Sequence, residues 1–194
     1  MRRLDLVEFI SLDGVMQGLA GPEPGFPHGG WGQDYPVDVQ DDSGSEPFVG
    51  TTGYLFGRKT YEHMVAFWPH QPDSNPMAAS LNHTRKYVLS RTLETATWEP
   101  TTVISGDVAE AVTALKADGD GAIVVLGSGR LVRSLLAEGL VDGLTLFVHP
   151  LLLGTGTRLF GELPDLRRLH LESCRTSELG SLVLNYTFAD AERR

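Results

Sequence analysis

Five consecutive apolar residues, Ala122–Leu126, constrain this chain more than any other feature. A strand with no polar position is apolar on both faces, and such strands belong to parallel sheets covered by helices. The next residues agree. Gly127-Ser128-Gly129 opens a helix whose apolar stripe is Leu131, Val132, Leu135 and Leu136, closed by Gly139.

The same alternation runs through the rest of the chain. Residues 4–11 read as a buried strand, followed at once by turn chemistry in Leu12-Asp13-Gly14. Residues 54–56 form a short strand that runs into Gly57-Arg58-Lys59-Thr60 and a helix reaching about Phe67, where Trp68-Pro69 stops it. Residues 87–89 lead to Ser90-Arg91, and residues 101–105 make a further strand. Asp107 with Glu110 three positions on marks a helix start, and Val108, Ala111, Val112 and Leu115 give that helix one apolar face. Residues 144–148, 169–176 and 182–188 form a tail of strands only, the last two joined by Glu178-Leu179-Gly180. Residues 17–50, rich in Gly, Pro and Asp with Trp31, Tyr35 and Phe48 as anchors, read as a long loop insert. The expectation is an α/β fold: one three-layer domain over residues 1–194, with a mixed, mostly parallel central sheet, flanking helices and a C-terminal antiparallel hairpin.

The net charge of −9 is unevenly placed. Residues 4–57 contain no Lys or Arg but nine acids, and the other sixteen acids balance the chain's sixteen basic residues. A nucleic-acid partner needs a positive footprint, so none is expected. No stretch approaches the roughly 18 apolar residues of a membrane span. Arg2 and Arg3 precede an apolar run, but Asp5 and Glu8 interrupt it, so it reads as a strand rather than a secretion signal. The single cysteine, Cys174, has no internal partner and fits a reducing, cytoplasmic setting.

Three strand ends carry anion chemistry. A helix start presents unpaired N–H groups and a partial positive charge, and glycine lets a diphosphate approach the backbone. Gly127-Ser128-Gly129 has that form, although a tight turn alone would also use glycine. At Gly57-Arg58-Lys59-Thr60 two cations and a hydroxyl join the helix start, where cations oppose the helix dipole unless an anion offsets them. Ser90 and Arg91 can hold a phosphate monoester by a hydroxyl and a bidentate guanidinium. Such a group distinguishes NADP from NAD, and no Gly-x-Gly-x-x-Gly follows the first strand to indicate an NAD-type unit.

Residues 57–62, Val88-Leu89-Ser90-Arg91-Thr92 and Leu126-Gly127-Ser128-Gly129 occur in an order and spacing that resembles the dihydrofolate reductase superfamily. Leu140-Val141-Asp142, the run Val148-His149-Pro150 to Gly156, and Leu159-Phe160 are similar to the reductase domain of the riboflavin-biosynthesis deaminase-reductases, as is Ser11-Leu12-Asp13-Gly14. The stand-alone members of that group, with no deaminase domain, look closest. The resemblance implies NADPH as cofactor. Gly57, Arg58, Lys59 and Thr60 would meet the diphosphate, with Gly127, Ser128, Gly129, Arg130 and Leu131 covering it from the second helix. Ser90 and Arg91 would take the 2′-phosphate. That family often has glycine where Ser128 stands.

The substrate side is thinner. The resemblance places a substrate-anchoring carboxylate among Asp34, Asp38, Asp41 and Asp42, with Asp38 the choice. Asp13 is read either as lining the nicotinamide pocket or as an Asx turn cap. Trp31 is either a pocket wall or a loop anchor. The six histidines show no metal-ligand spacing, so no metal is expected. The acidic first third disfavours the phosphoribosylamino-pyrimidine of riboflavin biosynthesis and favours a neutral or cationic small molecule, reduced at C=N or C=O. The competing reading is a module that binds NADPH without catalysis. The strand-only tail and apolar residues 144–153 suit a homodimer of the kind such proteins often form.

Overall fold

The structure, a computed structural model, describes residues 1–35, 48 and 50–189. Among these, eight strands join one sheet: β1 (Arg3–Ser11), β2 (Thr51–Gly57), β3 (Lys86–Leu89), β4 (Thr101–Ile104), β5 (Ala122–Leu126), β6 (Gly143–His149), β7 (Leu169–Thr176) and β8 (Leu182–Phe188). Their order is β4-β3-β2-β5-β1-β6-β8-β7. The pairs β3–β4, β2–β3 and β2–β5 are parallel, and β8 is antiparallel to both β6 and β7. Four helices accompany them: α1 (Arg58–Val65), α2 (Pro76–His83), α3 (Val108–Ala117) and α4 (Gly129–Ala137). This is the expected α/β sheet with its antiparallel C-terminal pair. No helix among the described residues is long and apolar enough to cross a membrane.

Two compact units divide the chain. The first, Met1–Asp5 with Gly50–Val141, holds β2 to β5 and all four helices. Every side chain of β5 is buried, as its unbroken apolar run requires. Parallel neighbours need a crossover, supplied by α1 and α2 between β2 and β3, while α3 carries the chain from the edge strand β4 back to β5 beside β2. Asp107 caps α3 as its position implied, its side chain accepting from Ala109 N–H at 2.9 Å and Glu110 N–H at 3.1 Å. Helix α1 ends at Val65, two residues short of Phe67, and a 3-10 turn takes over at Trp68–His70.

Helix α2 lies in a stretch where the apolar pattern predicts no element. Its start is nonetheless written there: Asn75 accepts from Met77 and Ala78 N–H, and Pro76 stands at the first helical position. Its end is unusual. The fully buried Lys86 reaches back from β3 and donates to the carbonyls of Leu81 (2.8 Å), Thr84 (3.0 Å) and Asn82 (3.4 Å). Helix ends leave carbonyls unpaired, and a cation there also meets the negative end of the dipole. The ring of Trp98 lies under the ammonium at 4.6 Å, and Trp98 Nε1–H donates to Asn82 Oδ1. Burial pushes the Lys86 pKa down to about 8.

The second unit, Leu6–Val49 with Asp142–Arg194, holds β6, β7 and β8 and the loops after β1. Strand β8 separates two surfaces by simple alternation. One carries Leu182, Leu184, Tyr186 and Phe188, with Leu171 opposite Tyr186 and Leu169 opposite Phe188. The other is a polar ladder: Thr145 Oγ1–H donates to Asn185, Asn185 Nδ2–H to Ser173, and Thr187 Oγ1–H to Glu172.

Lys86→Met keeps the apolar stem but removes the donor from three carbonyls. It is expected to cost roughly 2–4 kcal/mol of stability. Chemical denaturation of the purified variant measures this, and an unchanged midpoint would contradict the capping role.

Candidate functional site

Parallel register brings the three anion-type junctions to one edge. Gly57 pairs with Leu89 and Leu55 with Val125, so β3, β2 and β5 lie side by side and all run out in the same direction. Ser90-Arg91, Gly57-Arg58-Lys59-Thr60 and Gly127-Ser128-Gly129 therefore leave the carboxyl ends of three adjacent strands of the first unit. Open α/β sheets bind ligands at that edge.

Ser128 ties two of these junctions together. Its Oγ accepts from Gly57 N–H at 2.8 Å and shares a hydrogen with Thr60 Oγ1 at 2.6 Å. The two helix starts approach so closely that a Cβ on Gly57 would sit 2.7 Å from Ser128 Oγ. A Cβ on Gly127 would sit 2.9 Å from Thr60 Cγ2. Gly127 and Ser128 both adopt left-handed backbone, at φ of +64° and +72°. Glycine takes this freely and serine at a cost of roughly 1–2 kcal/mol. The two hydrogen bonds offset that cost, which accounts for a serine where glycine would be easier.

Capping sets these two helices apart. Helices α2 and α3 each have an Asn or Asp whose side chain accepts from the first-turn N–H groups. Helices α1 and α4 have no side-chain cap. Their first-turn donors stand next to each other, joined through Ser128. Around them, Arg58 pairs with Glu62 at 2.7 Å across a half-exposed turn, and Lys59 and Arg130 are exposed. Leu131 is buried, so only its backbone can meet a ligand. Ser90 closes a turn, accepting from Thr92 and Leu93 N–H at 3.1 and 2.9 Å, and Arg91 is exposed beside it. Tyr61, within the same motif, is buried and structural: its hydroxyl accepts from Thr97 and Trp98 N–H.

In the second unit the Asp13 carboxylate clasps a distant segment rather than capping its own turn. Its carboxylate accepts from Ser11 Oγ–H (2.6 Å), Leu153 N–H (3.1 Å) and Gly154 N–H (2.9 Å). Arg158 lies 3.5 Å from the carboxylate and donates from Nε to the Asp13 carbonyl. The Ser11 hydroxyl, followed by the two backbone donors, lowers the pKa to about 2. This acid is ionised at neutral pH and has no proton to give.

Trp31 is buried and anchors its loop. It packs with Val15 and Phe26 and donates from Nε1 to the Gln17 carbonyl at 2.7 Å. Asp38 lies outside the described residues. Among the described residues no cluster of His, Cys, Asp or Glu could hold a metal.

His149, in the Val148-His149-Pro150 run but given no role from sequence, is the residue that pattern reading missed. It is buried, its Nδ1 lies 2.9 Å from Ser181 Oγ, and burial pushes its pKa down. A lone histidine on an apolar strand carries no spacing signal, so only the packing reveals it.

Comparison with known proteins decides the family. Residues 4–183 match the RibD C-terminal domain. The chain belongs to the RibD C-terminal domain family. Its relative YyaP of Bacillus subtilis (strain 168), an uncharacterized protein, is 28% identical over 189 residues, covering 95% of this chain and 94% of YyaP. A Shewanella sp. PV-4 protein ascribed to riboflavin biosynthesis has the same fold, with a TM-score of 0.74 at 20% identity, covering 96% of this chain and 98% of that one. Dihydrofolate reductase from Enterococcus faecalis, solved in complex with NADP(H), superposes with a TM-score of 0.61 at 15% identity over 97% of each chain. The fold of this chain is thus of the dihydrofolate reductase kind.

The stabilising effect of the Asp13 clasp carries a definite pH sign. The carboxylate's folded pKa lies below the ordinary 3.8, so the gain is complete above that value and vanishes as pH falls through about 2. The gap in thermal midpoint between wild type and Asp13→Asn should therefore close over this window. Circular dichroism melts from about pH 6 to 2 read it, and a constant gap would contradict the clasp.

Proposed function

We propose that this chain is an NADPH-dependent reductase that acts on a C=N or C=O bond of a small, non-phosphorylated molecule. The observation that carries it is the pairing of the two α-helix starts in the first unit that lack side-chain caps, held together by Ser128 and flanked by Ser90 and Arg91. Backbone N–H groups of residues 58–60 and 129–131 would bind the diphosphate, and the close-set glycines leave the room. Lys59, Arg58 and Arg130 add positive charge. The Ser90 hydroxyl still has its own hydrogen to donate, and Arg91 supplies a planar guanidinium for the 2′-phosphate. When bound, NADPH supplies the hydride.

Substrate charge is read from the second unit. Arg158, a cation that could otherwise reach toward a substrate phosphate, is engaged by Asp13. With no Lys or Arg in residues 4–57, this favours an uncharged or cationic substrate over a phosphoribosyl compound. The exposed Cys174 thiol fits a reducing cytoplasm.

We also infer a homodimer through the apolar surface of β7 and β8. Leu169 and Leu171 are 40% and 46% exposed on β7, an edge strand whose far side has no strand partner among the described residues. An edge strand with an apolar face is a template for a second copy. Light scattering should find twice the chain mass and the monomer for Leu171→Lys; a monomeric wild type removes the dimer.

Cofactor choice is tested by thermal-shift titration with NADPH, NADH and FMN. Arg91→Ala should weaken NADPH roughly 10- to 100-fold, since a charge-assisted hydrogen bond contributes about 1.5–3 kcal/mol, and leave NADH unchanged. Equal loss for both nucleotides would remove Arg91 from the 2′-phosphate. Silence across a broad carbonyl and imine panel, with NADPH bound, would leave a binding module in place of a reductase.

A further inference from the structure

Residues opposed in an antiparallel pair share a face of the sheet, so the register against β8 sorts β7 residue by residue. Leu169, Leu171, Cys174 and Thr176 oppose Phe188, Tyr186, Leu184 and Leu182, and lie on the first, apolar face. His170, Ser173 and Arg175 oppose Thr187, Asn185 and Val183 on the second. The register shift between Leu171 and Ser173 adds Glu172 to this second face, where its carboxylate accepts from the Thr187 hydroxyl at 2.7 Å. From residue 169 to residue 176 the faces therefore run first, second, first, second, second, first, second, first. That order is the same from either end. Strict alternation over the same eight residues would begin on one face and finish on the other.

The backbone divides in the same way. In an antiparallel ladder each residue turns its N–H and C=O together, toward one neighbouring strand or the other in alternation. Just before β7, Ala189 N–H donates to the Arg168 carbonyl at 3.0 Å; just after it, Ser177 N–H donates to the Ser181 carbonyl at 2.8 Å. Both bonds join directly opposed residues of the β8 register, so residues 168 and 177 turn toward β8. Alternation inward from each end then turns Leu169, Leu171, Cys174 and Thr176 to the outer edge. All four are exposed, and that edge has no strand partner among the described residues.

We propose that two copies of this chain join β7 to β7 about a two-fold axis between Glu172 and Ser173, with Leu171 opposite the partner's Cys174 and Leu169 opposite the partner's Thr176. This rests on the homodimer reading and gives it an edge, a register and an axis. A two-fold interface presents one patch to itself, so the strand that forms it must read alike from both ends. Sliding this register by one residue or by two sets residues of unlike face against each other; the central one matches every pair, and it opposes the four outward residues of each strand. Each of those pairs can exchange both N–H···O=C bonds. A bulge ordinarily spoils an edge for pairing, but one at the centre of a two-fold meets its own copy and leaves the ladder on either side intact. On the second face Glu172 falls diagonal to the partner's Arg175, an attractive pair of charges.

Amide hydrogen exchange of the whole chain, followed by NMR, reads the pairing at single residues. The N–H groups of Leu169, Cys174 and Thr176 should exchange at least about tenfold faster in the Leu171→Lys monomer than in the wild-type dimer, while those of His170 and Arg175, turned to β8, stay protected. Oxidation with copper phenanthroline reads the register. Leu171→Cys should link two chains through Cys174, since such opposed pairs hold their Cα atoms about 5.5 Å apart, within disulfide reach. Leu169→Cys should not link, and Cys174→Ser should abolish the link made by Leu171→Cys. A dimer whose outward amides exchange as freely as the monomer's would overturn the edge pairing and leave contact through the apolar face alone. A dimer that Leu171→Cys does not link would overturn the register. A wild type that scatters light as a monomer would instead remove the homodimer itself, and the pairing with it.

Discussion

The shared direction of β3, β2 and β5 governs the first unit. Parallel strands paired in register end together, so the segment after each of them is delivered to one edge. Residues 57–60, 90–91 and 127–131 come from well-separated parts of the chain, and strand pairing alone makes them neighbours. The packing then tightens that edge until Gly57 and Gly127 have no room for a side chain. The Ser128 hydroxyl fills the narrow space left and fixes one helix start against the other.

Helix ends in the first unit differ in how their backbone groups are satisfied. Asn75 and Asp107 satisfy the first turns of α2 and α3, and Lys86 satisfies the last turn of α2, so that helix is closed at both ends from within the protein. Helices α1 and α4 begin without such side chains. The first-turn N–H groups of those two helices have no side-chain acceptor from their caps, the role that the proposed diphosphate would fill.

Much of this architecture was legible in the sequence. Unbroken apolarity identified β5, and Asp107 with its three-residue spacing identified α3. The strand-to-helix glycines marked the edge. Helix α2 escaped because its eight residues carry only two buried side chains, too few for a visible stripe, although Asn75-Pro76 did announce its start. The fates of Asp13 and Trp31 depended on partners 14 to 141 positions away, Gln17 for the indole and Leu153 and Gly154 for the carboxylate, which local pattern cannot supply. His149 lay deeper still, since what marks it is burial beside Ser181, and burial is a property of the packed chain.

The left-handed backbone at Ser128 has an evolutionary corollary. Alanine there would keep the conformational cost and lose both hydrogen bonds, whereas glycine would relieve the cost but leave Gly57 N–H and the Thr60 hydroxyl to find other partners. Positions 57, 60 and 128 therefore form a single unit of substitution. Across relatives they should change in concert, and a glycine at 128 should travel with an altered residue at 60.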